Sequence, residues 1–320
     1  MEWEQGLVIV PATRRGSRIG SSSLGQCRSR QAVMPILLIV ILLNYTVSVE
    51  ENAPAIGDVV YGVPQQIATL ANQKIRESSG LAASRVERGL FWTHNDSGDE
   101  QRIFAFDAAG RDRGEFRIPQ AQASDWEDMA SVLIDGKPYL ILADIGDNAR
   151  RRESCALYVI KEPTSQKKTI KTRKIRFRYQ DGPRDCESVA IDPVSKHIFL
   201  VTKAFVIRNP IYQLAWPDLD SDDVLVARRI GSVRLTLVTA MDIAADGRRT
   251  VMVTYGNAYE FQRRGEESWR DAFARSPSLI EMPQRRQGET ICYGQDSRTL
   301  YLTSEMTPTP LWRVAPKVAR

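Results

Sequence analysis

Histidine is scarce in this 320-residue sequence, and its few cysteines are not spaced for a metal site. The two histidines are His94 and His197, so a zinc site built mainly from imidazoles is excluded. None of the four cysteines forms a CxxC pair, which argues against a zinc finger, and one belongs to a basic leader. The other three are expected to be buried small side chains, with a single disulfide as the alternative: Cys155, Cys186 and Cys292.

The sequence also lacks a strong charge bias. Its formal net charge is +5, and part of that comes from the leader. No basic run is interleaved with aromatic residues in the way that single-strand binders require, so we expect no nucleic-acid partner. With 42% hydrophobic and 26% charged residues, the composition is that of an ordinary globular protein with enough apolar side chains for a sizeable core.

One apolar run stands out, AVMPILLIVILL at residues 32–43, and it is too short to span a bilayer comfortably. Arginines precede it and small or polar residues follow, which is the order of a secretory signal. Met34 as the true start and an uncleaved N-terminal anchor are two further interpretations. We expect a leader over residues 1–50 and one secreted or periplasmic domain over 51–320, with membrane contact only through an uncleaved leader.

Five segments of the remaining chain resemble one another. Each begins with Glu, once with Met, and has a small residue at its fourth position. They recur roughly every 50 to 60 residues, which is the period of propeller blades rather than of helical repeats. The segments are ESSGLA from Glu77, EDMASV from Glu127, ESVAID from Glu187, MDIAAD from Met241 and ETICYG from Glu289.

Further strand-like segments follow each of these five. GLFWTHND and HIFLVTKA are examples of second strands that close in polar residues, and KIRFRYQDG alternates apolar and basic residues as an outer strand would. No strongly amphipathic helix pattern interrupts residues 75–315. The sequence therefore predicts an all-β propeller of five four-stranded antiparallel blades, with room for a diverged sixth. Residues 58–70 are expected to supply the outer strand that closes the ring.

The repeat register places acidic residues together. If the first strand of each blade lines the channel, Glu77, Glu127, Glu187 and Glu289 form a ring at one mouth, with Met241 at the odd position. Second strands return to the same rim and bring further polar side chains. Like charges held close need protonation or a cation, and oxygen ligands suit Ca²⁺. The expected metal ligands are Glu77, Asp96, Asp144, Asp147, Asp242, Glu289 and Glu305.

A purely structural ring of glutamates is the competing interpretation. Arginines stand just before several Glu positions and would neutralise the ring without any metal: Arg76, Arg184, Arg285 and Arg286.

The segments ESSGLAAS, WTHNDSGD, DWEDMA, ADIGDN and RDCESVAID resemble a group of secreted bacterial β-propeller proteins with loosely phytase-like or esterase-like members. In calcium-dependent propeller phytases, acidic channel residues hold Ca²⁺ and basic residues hold phosphate. The resemblance therefore implies a calcium site in a channel, although the full active-site pattern is not present. The matching residue types are Glu127, Asp128, Asp144, Asp147 and Glu187.

Two functions follow. The first is a hydrolase of phosphoesters or related anionic esters, in which bound Ca²⁺ helps to activate water. Its expected catalytic residues are Glu127, Asp128 and Glu187, and its expected substrate-binding residues are Arg76, Arg184, Lys203 and Tyr255. The second is a non-catalytic propeller that binds an extracellular ligand at the same mouth. We expect a monomer in either case.

A serine esterase that uses Ser79 or Ser97 with His94 is disfavoured, because the sequence has no G-x-S-x-G motif.

Overall fold

The computed structural model describes residues 59–164 and 170–317, which form twenty β-strands and one short helix. The first ten strands are β1 (Gln65–Thr69), β2 (Ser78–Ala83), β3 (Leu90–Asn95), β4 (Arg102–Asp107), β5 (Asp112–Arg117), β6 (Trp126–Ile134), β7 (Lys137–Asp144), β8 (Cys155–Lys161), β9 (Thr172–Tyr179) and β10 (Cys186–Ile191). The elements that follow are β11 (His197–Thr202), β12 (Asn209–Ala215), β13 (Val224–Val233), β14 (Val238–Ile243), β15 (Arg249–Thr254), β16 (Ala258–Gln262), α1 (Trp269–Ala274), β17 (Ser278–Ile280), β18 (Cys292–Tyr293), β19 (Leu300–Leu302) and β20 (Pro310–Val314).

The strands are arranged in sets of four. β2–β5 and β14–β17 each form an antiparallel sheet, and β6–β9 and β10–β13 are two further sets joined at their outer edges by parallel pairing of β9 with β13. β1 completes the sheet of β18, β19 and β20. The first strand of each set packs against the first strand of the next, and β18 returns to β2. The described strands therefore close a β-propeller ring of five sets, which we number as blades 1 to 5 from β2 onward.

The ring closes where the sequence predicts. β1 pairs antiparallel with β20, with Gln65 opposite Arg313 and Thr69 opposite Pro310, so the N-terminal segment supplies the outer strand of the last blade. This pairing removes a sheet edge that would otherwise be open. The expected leader, including Met34, lies outside the described residues. Within those residues, no helix is both long and apolar enough to cross a bilayer.

Each boundary between adjacent blades has its own apolar cluster, and there are five such clusters. Trp92 of blade 1 packs with Trp126 and Met129 of blade 2, for example. The inner strand β2 is buried throughout, whereas the outer strand β9 alternates between buried and exposed residues. That alternation confirms that the basic side chains of KIRFRYQDG lie on a solvated face. Cys155, Cys186 and Cys292 are buried free thiols.

The short helix α1 is a departure from the expected all-strand pattern. Ser268 caps it by accepting a hydrogen bond from the Asp271 N–H, and its buried residues are Trp269, Ala272 and Phe273. These three side chains pack into the cluster between blades 3 and 4. A helix of six residues is too short to produce a recognisable helical period, so the sequence pattern could not reveal it.

Candidate functional site

A repeated backbone hydrogen bond defines the register of the channel mouth. In four blades, a residue that follows the second strand donates its N–H to the carbonyl of a residue that precedes the inner strand: Asp96 to Glu77, Ile145 to Asp125, Lys203 to Asp185 and Glu305 to Gln287. Glu77 is therefore equivalent to Asp185 and Gln287. It is not equivalent to the glutamates that stand two residues further along blades 3 and 5.

The glutamate ring consists of Glu127, Glu187 and Glu289, and the prediction was wrong for Glu77 and Met241. Each inner strand of blades 1 to 4 changes register near its start, and these β-bulges place Ser79 and Thr239 at the positions equivalent to Glu127 and Glu187. Because the four bulges lie at corresponding points of their strands, they identify the equivalent positions, and the sequence alignment was two residues out of register in blades 1 and 4. The ring therefore has three carboxylates and two hydroxyls.

Three carboxylates converge on one side of this mouth. Asp96, Asp125 and Glu127 each offer an oxygen, and these oxygens lie within 4.8 Å of one another. Glu127 is buried, and among the described residues no donor hydrogen-bonds to its carboxylate. Gly146 makes the approach possible, because a Cβ at this position would overlap the Glu127 carboxylate and come within 2.5 Å of Asp125 Oδ2.

The electrostatics of these three groups reflect mutual repulsion. Burial raises the pKa of Asp96 and of Asp125, and neighbouring carboxylates add to both shifts, while the Arg152 guanidinium opposes the shift of Asp125. The pKa of Glu127 is raised well above its usual range by burial, by Glu187 and by Asp96. Crowded, desolvated carboxylates of this kind favour either a proton or a metal ion.

On the opposite side of the mouth the carboxylates have partners. Lys203 forms an ion pair with Glu187, and its Nζ lies 5.1 Å from the centre of the Tyr255 ring. Tyr255 in turn donates its hydroxyl to Glu289 Oε1 at 3.0 Å. Burial raises the pKa of Glu187 to about 8 although Lys203 opposes the shift. Burial opposes the charge on Lys203, but Glu187 outweighs it and raises the lysine pKa.

Glu305 and Glu77 complete the acidic rim. Burial and contact with Glu289 raise the pKa of Glu305 to about 9, and Asp96 and Glu77 add to that shift. Glu77 itself is exposed. The structure therefore brings Glu305 to the mouth, as predicted, and leaves Glu77 on its outer edge.

Asp128 and Asp242 do not belong to the mouth. Asp128 is fully buried, and its carboxylate accepts N–H groups from Met129, Val189 and Met241, which belong to three different blades. Asp242 accepts the N–H groups of Ile243 and Tyr293 and so joins blade 4 to blade 5. We correct the expected catalytic role of Asp128 and the expected ligand role of Asp242, because backbone donors already engage both carboxylates.

The carboxylates of Asp144 and Asp147 also have donors bound to them. Asp144 pairs with Arg152 at 2.8 Å, and Asp147 accepts the backbone N–H groups of Arg151 and Arg152. Both carboxylates shape the loop that carries Gly146. Their expected role as metal ligands is replaced by this supporting one, since each is already bound to a donor.

The expected anion-binding residues are dispersed. Lys203 lies in the mouth, but Arg184 pairs with Asp181 at 2.9 Å, and Arg76 is exposed outside the ring. Tyr255 stands beside Lys203, as described above. Of the four expected substrate-binding residues, the structure therefore places two together.

The pairing of a serine with His94 is not formed. Ser79 donates its hydroxyl to the Glu127 carbonyl at 2.6 Å, while His94 packs edge-on against Trp126 and contacts the Asn95 carbonyl through Nδ1. Burial lowers the pKa of His94 to about 4. His94 is therefore a buried neutral side chain behind the mouth.

Sequence reasoning missed Asp125, Gly146 and Arg152. Asp125 stands two residues before Glu127 in the segment DWED, and the start of a bulged strand brings both side chains to one side. The glycine of ADIGDN gave a signal, because an isolated glycine after a strand indicates a close approach of other groups. No sequence pattern indicated that Gly146 lies against the Glu127 carboxylate.

Similarities to known proteins are weak. No protein-family model and no curated protein matches the chain. Among solved structures, the chain is similar to a gluconolactonase from Xanthomonas campestris (TM-score 0.43, 13% identity, 75% of this chain and 72% of that one). It is also similar to a nidogen/laminin complex (0.43, 16%, 72% and 73%) and to the Dos1 propeller (0.35, 8%, 76% and 69%). The chain is a β-propeller, and similarity at this level indicates no activity.

Proposed function

We propose that the mouth binds one Ca²⁺ ion at Asp96, Asp125 and Glu127 and that the protein uses it to hydrolyse a phosphoester or a related anionic ester. The observation that carries this proposal is the difference between the two sides of the mouth. Lys203 compensates Glu187, whereas Glu127 is buried among other carboxylates and no described residue donates to it. A buried cluster of this kind is stabilised by a divalent cation.

The donor set favours calcium over zinc. All three side chains are carboxylates, and the nearby His94 turns its Nδ1 toward a backbone carbonyl. Ca²⁺ takes six to eight oxygen ligands, so three protein carboxylates leave positions for water and substrate. Sites with few charged ligands are weak and suit the millimolar calcium outside the cytoplasm. This agrees with the secreted or periplasmic location that we propose from the leader.

The acidic mouth also sets a condition on the substrate. Without a cation it repels anions, so binding of an anionic ester must depend strictly on the metal. When bound, Ca²⁺ supplies charge neutralisation and lowers the pKa of coordinated water. Lys203 would hold a substrate oxygen. Glu187, held as a carboxylate by its ion pair with Lys203, would accept a proton from a water molecule as the water oxygen bonds to phosphorus or to the carbonyl carbon. It would then return that proton to the departing alcohol.

The test combines metal binding with turnover. Calcium is titrated into the full chain by calorimetry, and hydrolysis of p-nitrophenyl phosphate and its diester is followed with calcium or EDTA. We expect Glu127→Gln to weaken calcium binding by about 10- to 100-fold and to abolish hydrolysis. Glu153→Gln, which changes an exposed carboxylate outside the ring, is the control and should behave as wild type. Equal calcium binding in all three proteins would refute the site.

A non-catalytic binding propeller is the second candidate, and one observation favours it. A cleft of about 450 Å³ lies beside the mouth, with Tyr255, Met282 and Arg285 in its wall. Calcium binding without turnover of any ester would support this function over the hydrolase.

A further inference from the structure

An apolar tip projects from the same face of the propeller as the mouth. The loop between β11 and β12 exposes Phe205, Val206 and Ile207, with 89%, 47% and 77% of their surfaces in solvent. Single exposed apolar residues are common, but three in succession indicate a functional contact. We call residues 205–207 the apolar tip.

The base of this loop is firmly held. Asn209 is fully buried, and its side-chain amide donates to the carbonyls of Ala204 and Leu235 at 3.1 and 2.6 Å. Leu237 also donates its N–H to the Ala204 carbonyl. Because the base is fixed, the tip is presented to solvent in one place and does not fold back onto the blade.

Two exposed arginines flank the apolar tip. Arg208 follows the tip directly, and Arg234 lies in the neighbouring connection that Asn209 holds; both are exposed. Among the salt bridges of the described residues, none involves either arginine. The loop at the same position in blade 5 repeats the combination, since exposed Met306 contacts Arg286 through its sulfur at 3.7 Å.

We propose that the blade 3 rim of this face docks on an anionic phospholipid bilayer, with the apolar tip inserted at the headgroup boundary, Arg208 and Arg234 on lipid phosphates, and the acidic mouth left in water. Apolar side chains next to exposed arginines are the combination that interfacial binding requires. A protein partner would offer a packed pocket and usually meets a flatter surface than a projecting tripeptide. The proposal does not depend on calcium or on the proposed hydrolase.

The test places a tryptophan reporter in the tip of the full chain. Phe205→Trp is mixed with phosphatidylcholine vesicles, with or without about one third phosphatidylglycerol, in EDTA so that calcium cannot bridge. The emission of the wild type, which has six tryptophans, is subtracted to isolate the reporter. We expect a blue-shifted emission and quenching by brominated lipid only with the anionic vesicles. Adding Arg208→Gln should reduce vesicle affinity about fivefold, and adding Arg234→Gln should reduce it about fivefold more.

The control reporter is Val194→Trp, an exposed position in the turn between β10 and β11 at the other end of the blade. It should not respond to vesicles. The proposal fails if the emission of the Phe205→Trp reporter is unchanged by anionic vesicles. It also fails if that emission is already blue-shifted without lipid, which would mean that protein covers the tip. An equal response of both reporters would also refute the proposal, because binding would then not be specific to this face.

Discussion

Glu127 and Asp128 are neighbours on one strand and have opposite surroundings. The Glu127 carboxylate faces the mouth among other carboxylates, and no donor among the described residues reaches it. The Asp128 carboxylate faces the closed channel and accepts three backbone N–H groups from three blades. The β-bulge at the start of β6 re-aims the Glu127 side chain, so one residue can serve a ligand while the next holds the ring together.

The comparison shows why a count of acidic residues is a poor guide to a metal site. Asp128, Asp242 and Asp147 are all buried carboxylates, but backbone amides satisfy them. A buried carboxylate without donors gains most from a cation, because its desolvation is not otherwise compensated. Stability and binding are therefore divided between adjacent positions of β6.

The largest loss of folding stability is expected from Asp128→Ala. This change leaves three buried N–H groups without an acceptor and should lower the free energy of unfolding by about 3–5 kcal/mol. Glu127→Gln removes a like charge from a crowded cluster and should change it by less than about 1 kcal/mol in EDTA. Urea unfolding of both variants measures the difference. Similar losses in the two variants would contradict the division of roles.

A second prediction concerns pH and the side chain behind the mouth. Burial lowers the pKa of His94 to about 4, whereas the unfolded chain has the ordinary value of about 6.5. As the pH falls, the unfolded chain therefore takes up a proton at this histidine before the folded protein does. The stability contributed by neutral His94 is complete above about pH 6.5 and is lost as the pH falls toward 4, by about 3 kcal/mol in total.

His94→Gln should remove this part of the pH dependence, and His197→Gln, at a half-buried position on β11, should leave it in place. Urea unfolding at several values between pH 4 and pH 7 makes the comparison. If wild type and His94→Gln lose stability in parallel, the slope belongs to other groups.

The fold could be predicted from the sequence because its signals are local and repeated. In β9, the apolar residues Ile175, Phe177 and Tyr179 alternate with polar ones, and the burial follows this alternation. The inner strands recur at the spacing that is typical of propeller blades. The closing pair of β1 and β20 followed from the missing fourth strand of the last blade. The helix α1 was missed because one and a half turns carry little periodicity.

The site could be predicted only in part, because its register depends on strand pairing that the sequence repeat does not fix. Glu127, Glu187 and Glu289 were placed in one ring, and the structure brings them to one mouth. Glu77 was matched to Glu127 in place of Ser79, because the repeat was aligned on its small residues with Gly80 rather than Ala82 opposite Ala130. The partners that distinguish Asp128 from Glu127 come from other blades and cannot be seen in a local segment.

The smallest expected effect tests whether the site can be changed without changing the fold. Gly146→Ala places a methyl group against the carboxylates of Glu127 and Asp125. Its backbone does not need a positive φ, and the displaced atoms are the ends of flexible side chains, so the free energy of unfolding in EDTA should change by less than about 1 kcal/mol. Calcium affinity should fall by about tenfold because the three oxygens can no longer converge.

Gly256→Ala is the matched control for this change. Gly256 occupies the corresponding loop of blade 4, where an added Cβ would meet only Thr254 Oγ1 at 3.8 Å. Calcium titration by calorimetry and unfolding in EDTA are measured for both variants. Loss of calcium affinity in Gly146→Ala alone, with both proteins equally stable, would locate the ion above Gly146. Unchanged affinity in Gly146→Ala would mean that Glu127 and Asp125 do not bind the metal together, and the mouth would then be a ring neutralised by its own cations.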